Sequence, residues 1–203
     1  MRTVAVVGGS LAGLNAARAL RAQGFDGRIV LIGAEVHLPY DRPPLSKEFL
    51  AGRVELSEIA LSTDSDADLD IEWCLGTPAA RLDRAGSRVV LASGREVPAD
   101  GVVVATGARA RDLPDSLAGV HTLRTAEDAV ALREVLVPDT RLVVIGAGFV
   151  GAEVASTARE LGAVVTVVEM ADVPPTHALG AHLGAVCAGL HNDNGVHLIT
   201  GVE

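Results

Sequence analysis

Aromatic side chains are scarce in this chain, with one Trp, one Tyr and three Phe in 203 residues. A core must then be filled by Val, Leu, Ala and Ile. With 22 glycines and a hydrophobic share of 49%, this is the composition of a parallel-sheet α/β protein. No apolar run approaches the roughly 18 residues that span a bilayer. Strand-like residues begin at Thr3, leaving no room for a signal peptide, so the expectation is a soluble, cytoplasmic protein with no membrane partner. Cysteine is scarce too. Cys74 and Cys187 form no CxxC pair and read as free thiols in a reducing compartment. A net charge of −9 argues against sequence-independent nucleic-acid binding, which needs a basic footprint. It leaves protein partners open, because a local arginine patch survives inside an acidic total. The six histidines show no metal-type spacing: His177, His182 and His191 are placed on solvated faces or turns, and no metal is assigned. Lysine occurs once, Lys47 alone against sixteen arginines.

Lys47 closes the stretch Pro39 to Lys47, PYDRPPLSK. Three prolines fix φ and remove backbone donors, so the segment reads as a stiff, extended loop rather than helix or strand interior. Two readings stand for it. Either Ser46 caps a short helix and Lys47 is solvated, or the compact ammonium is there for a task.

Upstream, Thr3 to Val7 is a short buried strand running into Gly8-Gly9-Ser10-Leu11-Ala12-Gly13, followed by a helix up to Gly24 and a second strand from Arg28 to Ile32. This is a βαβ unit whose turn has a dinucleotide-binding pattern, with Glu35 placed 27 positions after Gly8. Its helix N-terminus offers free N–H groups to a pyrophosphate. Ser10 replaces the middle glycine, so a Cβ crowds the ligand or a hydroxyl donates to it. Residues 51 to 69 read as a loop with short helical or extended pieces. Ile71 to Leu75, Ala79 to Leu82, Arg88 to Leu91 and Glu96 to Pro98 read as a small antiparallel meander at about 71–98, with Trp73 as a packing residue. Gly101 to Ala105 returns to a buried strand ending in Thr106-Gly107, small residues that let a ligand approach closely. Thr125 to Val137 is an amphipathic helix capped by Thr125 and stopped by Pro138.

A second unit begins at Arg141. Leu142 to Ile145 is a strand, Gly146-Ala147-Gly148-Phe149-Val150-Gly151 keeps all three glycines, a helix runs to about Leu161, and the strand Ala163 to Val168 ends at Glu169. Glu169 suits the hydroxyls of an adenosine ribose and repels a 2′-phosphate, so NADH is expected over NADPH. A helix from His182 to Asn194 and a strand from Val196 to Thr200 follow, and the chain then stops where this unit is expected to gain strands, so it reads as a fragment. The expected fold is α/β, with two Rossmann-like three-layer dinucleotide-binding units and a small antiparallel β insertion. The expected domains are 1–112 for FAD and 113–203 for NADH, the latter incomplete at its C-terminus.

The runs GGSLAG, LIGAE, PYDRPPLSK, VVVATGARAR, LRTAEDA and VIGAGFVGAE, in that order, resemble FAD-dependent, NADH-using ferredoxin or rubredoxin reductases, the reductase components that serve ring-hydroxylating oxygenases and cytochromes P450. The resemblance covers essentially the whole chain. It implies a flavoprotein oxidoreductase passing electrons from NADH through FAD to an iron–sulfur ferredoxin or rubredoxin. It places Gly8, Ser10, Ala12 and Gly13 at the FAD pyrophosphate, with Glu35 substituting as the ribose acid because the family's register falls on Ala34. Arg42 and Lys47 would lie along the FAD, Ala79 beside the adenine, Thr106 and Gly107 at the strand end, and Arg124 at the phosphates. Gly146, Gly148, Val150, Gly151 and Glu169 would hold NADH. Glu153 would pair with Lys47, whose ammonium stabilises the negative charge that hydride transfer leaves on the flavin ring. By itself, Glu153 also reads as a first-turn partner of the helix dipole. Two alternatives remain: a flavin NADH oxidase or disulfide reductase relative, disfavoured by a thiol-free proline loop, and an FAD- and NADH-binding signalling flavoprotein like apoptosis-inducing factor.

Overall fold

The computed structural model describes residues 1–111, 117–174 and 176–202, with the side chains of 176–178 excluded. The expected boundary at 112/113 and the side chain of His177 lie outside the described residues. The chain divides into two compact units, one formed by Met1–Asp41 and Leu56–Arg109, the other by Arg42–Glu55 and Ala110–Glu203.

In the first unit, β1 (Thr3–Val7) is paired in parallel with β2 (Arg28–Ile32) on one side and β7 (Gly101–Val104) on the other. Val4, Ala5, Val6 and Ile29 to Ile32 are all but inaccessible, as expected of central strands in a sheet covered on both faces. The helix α1 (Leu11–Ala22) covers one face through Leu14 and Ala17. Arg18 ties it to Asp66 of the 3₁₀ turn Asp64–Leu69 at 2.7 Å. The stretch before that turn is loop and short 3₁₀ helix, as its weak patterning indicates.

One expectation fails here. β3 (Ile71–Cys74) is not part of the meander: it pairs in parallel with β2, Ile29 opposite Ile71 and Leu31 opposite Trp73. The sheet order is therefore β3-β2-β1-β7. A short strand of mixed polarity carries no local mark of its partner, and here the apolar edge of β2 takes it in. Trp73 packs against the cluster of Val4, Val6, Ala17, Ile29 and Leu31. The antiparallel insertion contains only β4 (Ala79–Asp83), β5 (Arg88–Leu91) and β6 (Glu96–Pro98).

In the second unit, β8 (Arg141–Ile145), β9 (Val164–Val168) and β10 (His197–Ile199) form a parallel sheet in the order β10-β9-β8. The helices are α2 (Ala126–Val135), α3 (Phe149–Glu160) and α4 (Thr176–Asp193). α4 begins earlier than expected and is broken at Gly180, whose φ of 77° is not helical. Ala155, Ala158, Val165 and Val167 form the core together with Leu50, so the residues after the proline stretch are packed into this unit. His182 is exposed, and burial pushes the half-buried His191 below the ordinary imidazole value. No helix among the described residues is long and apolar enough to cross a membrane.

Candidate functional site

Three helices show what the chain does with its helix N-termini. α2 satisfies its own: the Thr125 hydroxyl accepts from the Asp128 amide at 3.2 Å, and the Asp128 carboxylate accepts from the Thr125 amide at 2.9 Å. α1 and α3 do not. Neither has a side-chain cap bond or an acid in its first turn, and both follow a glycine turn. First-turn amides and the positive end of the helix dipole are thus left for an anion at these two places.

The glycines of the second turn separate fold from ligand. Gly146 has φ +98°, which an L side chain resists, and a Cβ on Gly151 would meet the Gly146 carbonyl oxygen at 2.0 Å. Gly148 has an ordinary φ of −72°, and a Cβ there would meet nothing within 4 Å. The chain itself does not require glycine at 148, and the turn leaves room there for a close approach from outside. Glu169, at the end of β9, accepts from the Ala147 amide at 2.6 Å and from the Ala171 amide at 2.9 Å, so its carboxylate is fixed beside the turn.

The first turn has the same frame. Gly8 has φ +123°, and a Cβ on Gly13 would meet the Gly8 carbonyl oxygen at 1.9 Å. Ser10 is extended, at φ −134°, and makes no cap bond. Ala12, Thr106 and Gly107 are exposed around this end of the sheet, and a Cβ on Gly8 would lie 3.1 Å from the Thr106 nitrogen. Glu35 lies in the loop after β2, its carboxylate accepting from the Tyr40 hydroxyl. Gly76 donates to the Glu35 carbonyl and Thr77 to that of Gly33, which ties the Glu35 loop to the residues leading into Ala79.

The proline stretch is divided between the units. Pro39 and Asp41 bond to Leu61 and Ile59 in the first unit, while Arg42 onward belongs to the second. Pro43–Ser46 is a 3₁₀ turn, not extended chain: prolines in a first helical turn bring a suitable φ, and their missing N–H groups have no acceptor there in any case. Ser46 ends this turn instead of capping a helix. Its hydroxyl donates to the Pro43 carbonyl at 3.3 Å and to the Glu153 carboxylate.

Within the second unit, Arg42, Lys47, Arg124, Phe149, Val150 and Glu153 line a cavity of about 320 Å³. Lys47 Nζ lies 3.0 Å from Glu153 Oε2, and Arg42 donates to the Arg124 carbonyl at 2.5 Å. Three cations and one carboxylate are among the lining residues, side chains that can meet an anionic ligand. Glu153 is the fifth residue of α3, not in its first turn as expected, because the helix begins at Phe149. Burial pushes its carboxyl up, but the Ser46 hydroxyl and the Lys47 ammonium more than offset this and hold it below the ordinary carboxylate value.

A family model described as pyridine nucleotide-disulphide oxidoreductase matches residues 2–203. The chain belongs to this family. The benzene 1,2-dioxygenase system ferredoxin–NAD(+) reductase subunit of Pseudomonas putida is 45% identical over 205 residues, covering 98% of this chain and 50% of that protein. Rhodocoxin reductase of Rhodococcus erythropolis is 42% identical over 207 residues, covering 99% and 48%. Among solved structures, the covalent putidaredoxin reductase–putidaredoxin complex matches with a TM-score of 0.92 at 37% identity, over 100% of this chain and 50% of that one. The chain spans about half the length of the curated relatives it matches.

Cys74 is buried on β3 and Cys187 is half-buried on α4, both free, and neither lines the Lys47 cavity. Sequence reasoning passed over Thr157, a hydroxyl among Val154, Ala155 and Ala158 on the buried face of α3. A hydroxyl on an apolar stripe signals a hydrogen-bond partner.

Proposed function

We propose that this chain carries the two dinucleotide-binding parts of an NADH-dependent flavoprotein that reduces a ferredoxin or rubredoxin serving an oxygenase or cytochrome P450 in the cytoplasm. The observation that carries this reading is the Lys47–Glu153 pair at 3.0 Å in a cavity also lined by Arg42 and Arg124. The names of two similar relatives, ferredoxin–NAD(+) reductase and rhodocoxin reductase, support it, as do the two uncapped helix N-termini behind glycine turns.

Bound FAD would supply the chemistry, two-electron reduction by NADH and one-electron delivery to an iron–sulfur acceptor. The residues of the chain bind and orient. Gly8, Ser10, Ala12 and Gly13 take the FAD diphosphate, Glu35 its ribose, Ala79 its adenine side, and Thr106 and Gly107 its near edge. Arg42 and Arg124 balance its phosphate charge. Gly146, Gly148, Val150 and Gly151 take the NADH diphosphate, and Glu169 the adenosine ribose, where a carboxylate repels a 2′-phosphate. Lys47 offers a fixed positive charge where negative charge develops, and Glu153 balances it beforehand. Thiol–disulfide chemistry is disfavoured, because the cavity is lined by no cysteine.

The test is anaerobic stopped-flow mixing of the FAD-loaded, full-length protein with NADH, followed by oxidised plant-type ferredoxin and rubredoxin. NADH should bleach the flavin and one of the iron–sulfur proteins should restore it. A flavin that stays oxidised, or one reoxidised by neither protein, would sink the reading.

A further inference from the structure

Two polar residues that are buried as whole residues, Ser46 at 4% exposure and Thr157 at 6%, sit behind the cavity. They belong to one connected run. Thr157 Oγ1 donates to the Ser46 carbonyl at 2.8 Å. The Ser46 hydroxyl donates to Glu153 Oε2, the oxygen that also meets Lys47 Nζ.

We propose that Ser46, held in place by Thr157, is a positioning residue that fixes the Glu153 carboxylate, so that the Glu153–Lys47 pair is preorganised for an incoming dinucleotide. This rests on the function proposed above. The two contacts on the Glu153 carboxylate differ in rigidity. The Lys47 and Glu153 side chains are each 37% exposed, and an ion pair so open to water holds two long side chains weakly. Lysine reaches its partner over a flexible four-carbon stem. The serine hydroxyl hangs on a single χ angle, is buried and gives a charge-assisted bond, while its backbone is pinned from α3 by Thr157. A neutral donor also fixes the carboxylate without cancelling its charge, which leaves Glu153 free to balance Lys47.

The same arrangement sets how Glu153 titrates. Burial opposes ionisation, and Ser46 and Lys47 oppose burial. The charged groups that share the cavity are Lys47, Arg42 and Arg124, with no second carboxylate among the lining residues. Without the Ser46 hydroxyl, burial is answered by the Lys47 ammonium alone, and the carboxyl takes its proton at a higher pH. The ionised pair is present above the depressed value and is lost as pH falls through it.

The experiment uses full-length, FAD-loaded protein with ¹³C-carboxyl-labelled glutamate, as wild type, Ser46→Ala, Thr157→Val and Thr157→Ser. It reads the Glu153 titration by NMR and single-turnover reduction by NADH. Ser46→Ala should raise the Glu153 midpoint and slow reduction about tenfold, with NADH affinity changed less than about twofold. Thr157→Val should act in the same direction more weakly, and Thr157→Ser, which keeps the hydroxyl, should restore both readouts. If Ser46→Ala fails to fold, the Thr157 pair carries the test. An unmoved Glu153 titration in Ser46→Ala, or equal damage from Thr157→Ser and Thr157→Val, would overturn the proposal. Because the titration needs no turnover, it decides the role of Ser46 even if NADH fails to reduce the wild type, an outcome that counts against the proposed function instead.

Discussion

Set side by side, the two glycine turns use the same residue type for different ends. A Cβ on Gly8 would meet the Ala105 carbonyl oxygen at 2.0 Å, whereas one on Gly146 would meet nothing within 4 Å. The neighbouring strands explain the difference: β7 lies beside β1, while β8 is the last strand of its sheet among the described residues. The third glycines are alike, each a fraction too close to the first glycine's carbonyl for a Cβ. The middle positions diverge again, Ser10 in one turn and an unobstructed Gly148 in the other. A glycine whose Cβ would strike its own chain is required by the fold, whereas the chain itself does not hold position 148 to glycine.

The largest effect should come from the shared position. Gly13→Ala and Gly151→Ala each force a Cβ to within about 2 Å of a carbonyl oxygen and should lower unfolding stability in denaturant by about 2–3 kcal/mol or prevent folding. Wild-type stability in either would break the comparison. Next comes the acid held beside the second turn. Glu169→Ala, which removes the bonds to the Ala147 and Ala171 amides, should raise the KM for NADH about tenfold and narrow the preference over NADPH, read from steady-state kinetics. An unchanged preference would place specificity elsewhere.

A smaller effect tests what holds α1 in the first unit. The Arg18 guanidinium, followed by the Thr63 amide, lowers the Asp66 carboxyl to about 2 against the opposing effect of burial. A depressed value means stability that is present above the ordinary carboxylate range, near 3.9, and is lost as pH falls from there through about 2. Stability curves of wild type and Asp66→Asn should therefore differ most above pH ~4 and converge in acid. Parallel curves would show that the pair contributes nothing. The smallest effect belongs to Ser10, whose hydroxyl caps nothing. Ser10→Gly should keep stability within about 0.5 kcal/mol and shift FAD affinity, by equilibrium titration, less than about tenfold.

Much of this was readable from the chain. The glycine spacing marked both turns, and Thr125 and Pro138 bracketed α2, because these signals are local. The parallel partner of β3 was not readable: nothing within IEWC says that β2, some forty residues earlier, is its neighbour. Nor was the 3₁₀ turn at Pro43–Ser46, since proline fixes φ but leaves ψ to the packing. Lys47 and Glu153 were foreseen as a pair from resemblance, and their side chains do meet. The hydroxyls behind them were not foreseen, because Ser46 looked like a cap and Thr157 differs from its apolar neighbours by a single oxygen.

Gly148 offers the most direct measurement on the nucleotide turns. Its test is the NADH dissociation constant and the denaturant midpoint of full-length Gly148→Ala, measured on the same preparation. The expected result is NADH affinity weakened at least about tenfold with the midpoint unchanged, because the added Cβ enters space that the chain leaves open. Wild-type affinity for NADH, or affinity and stability lost together, would contradict it.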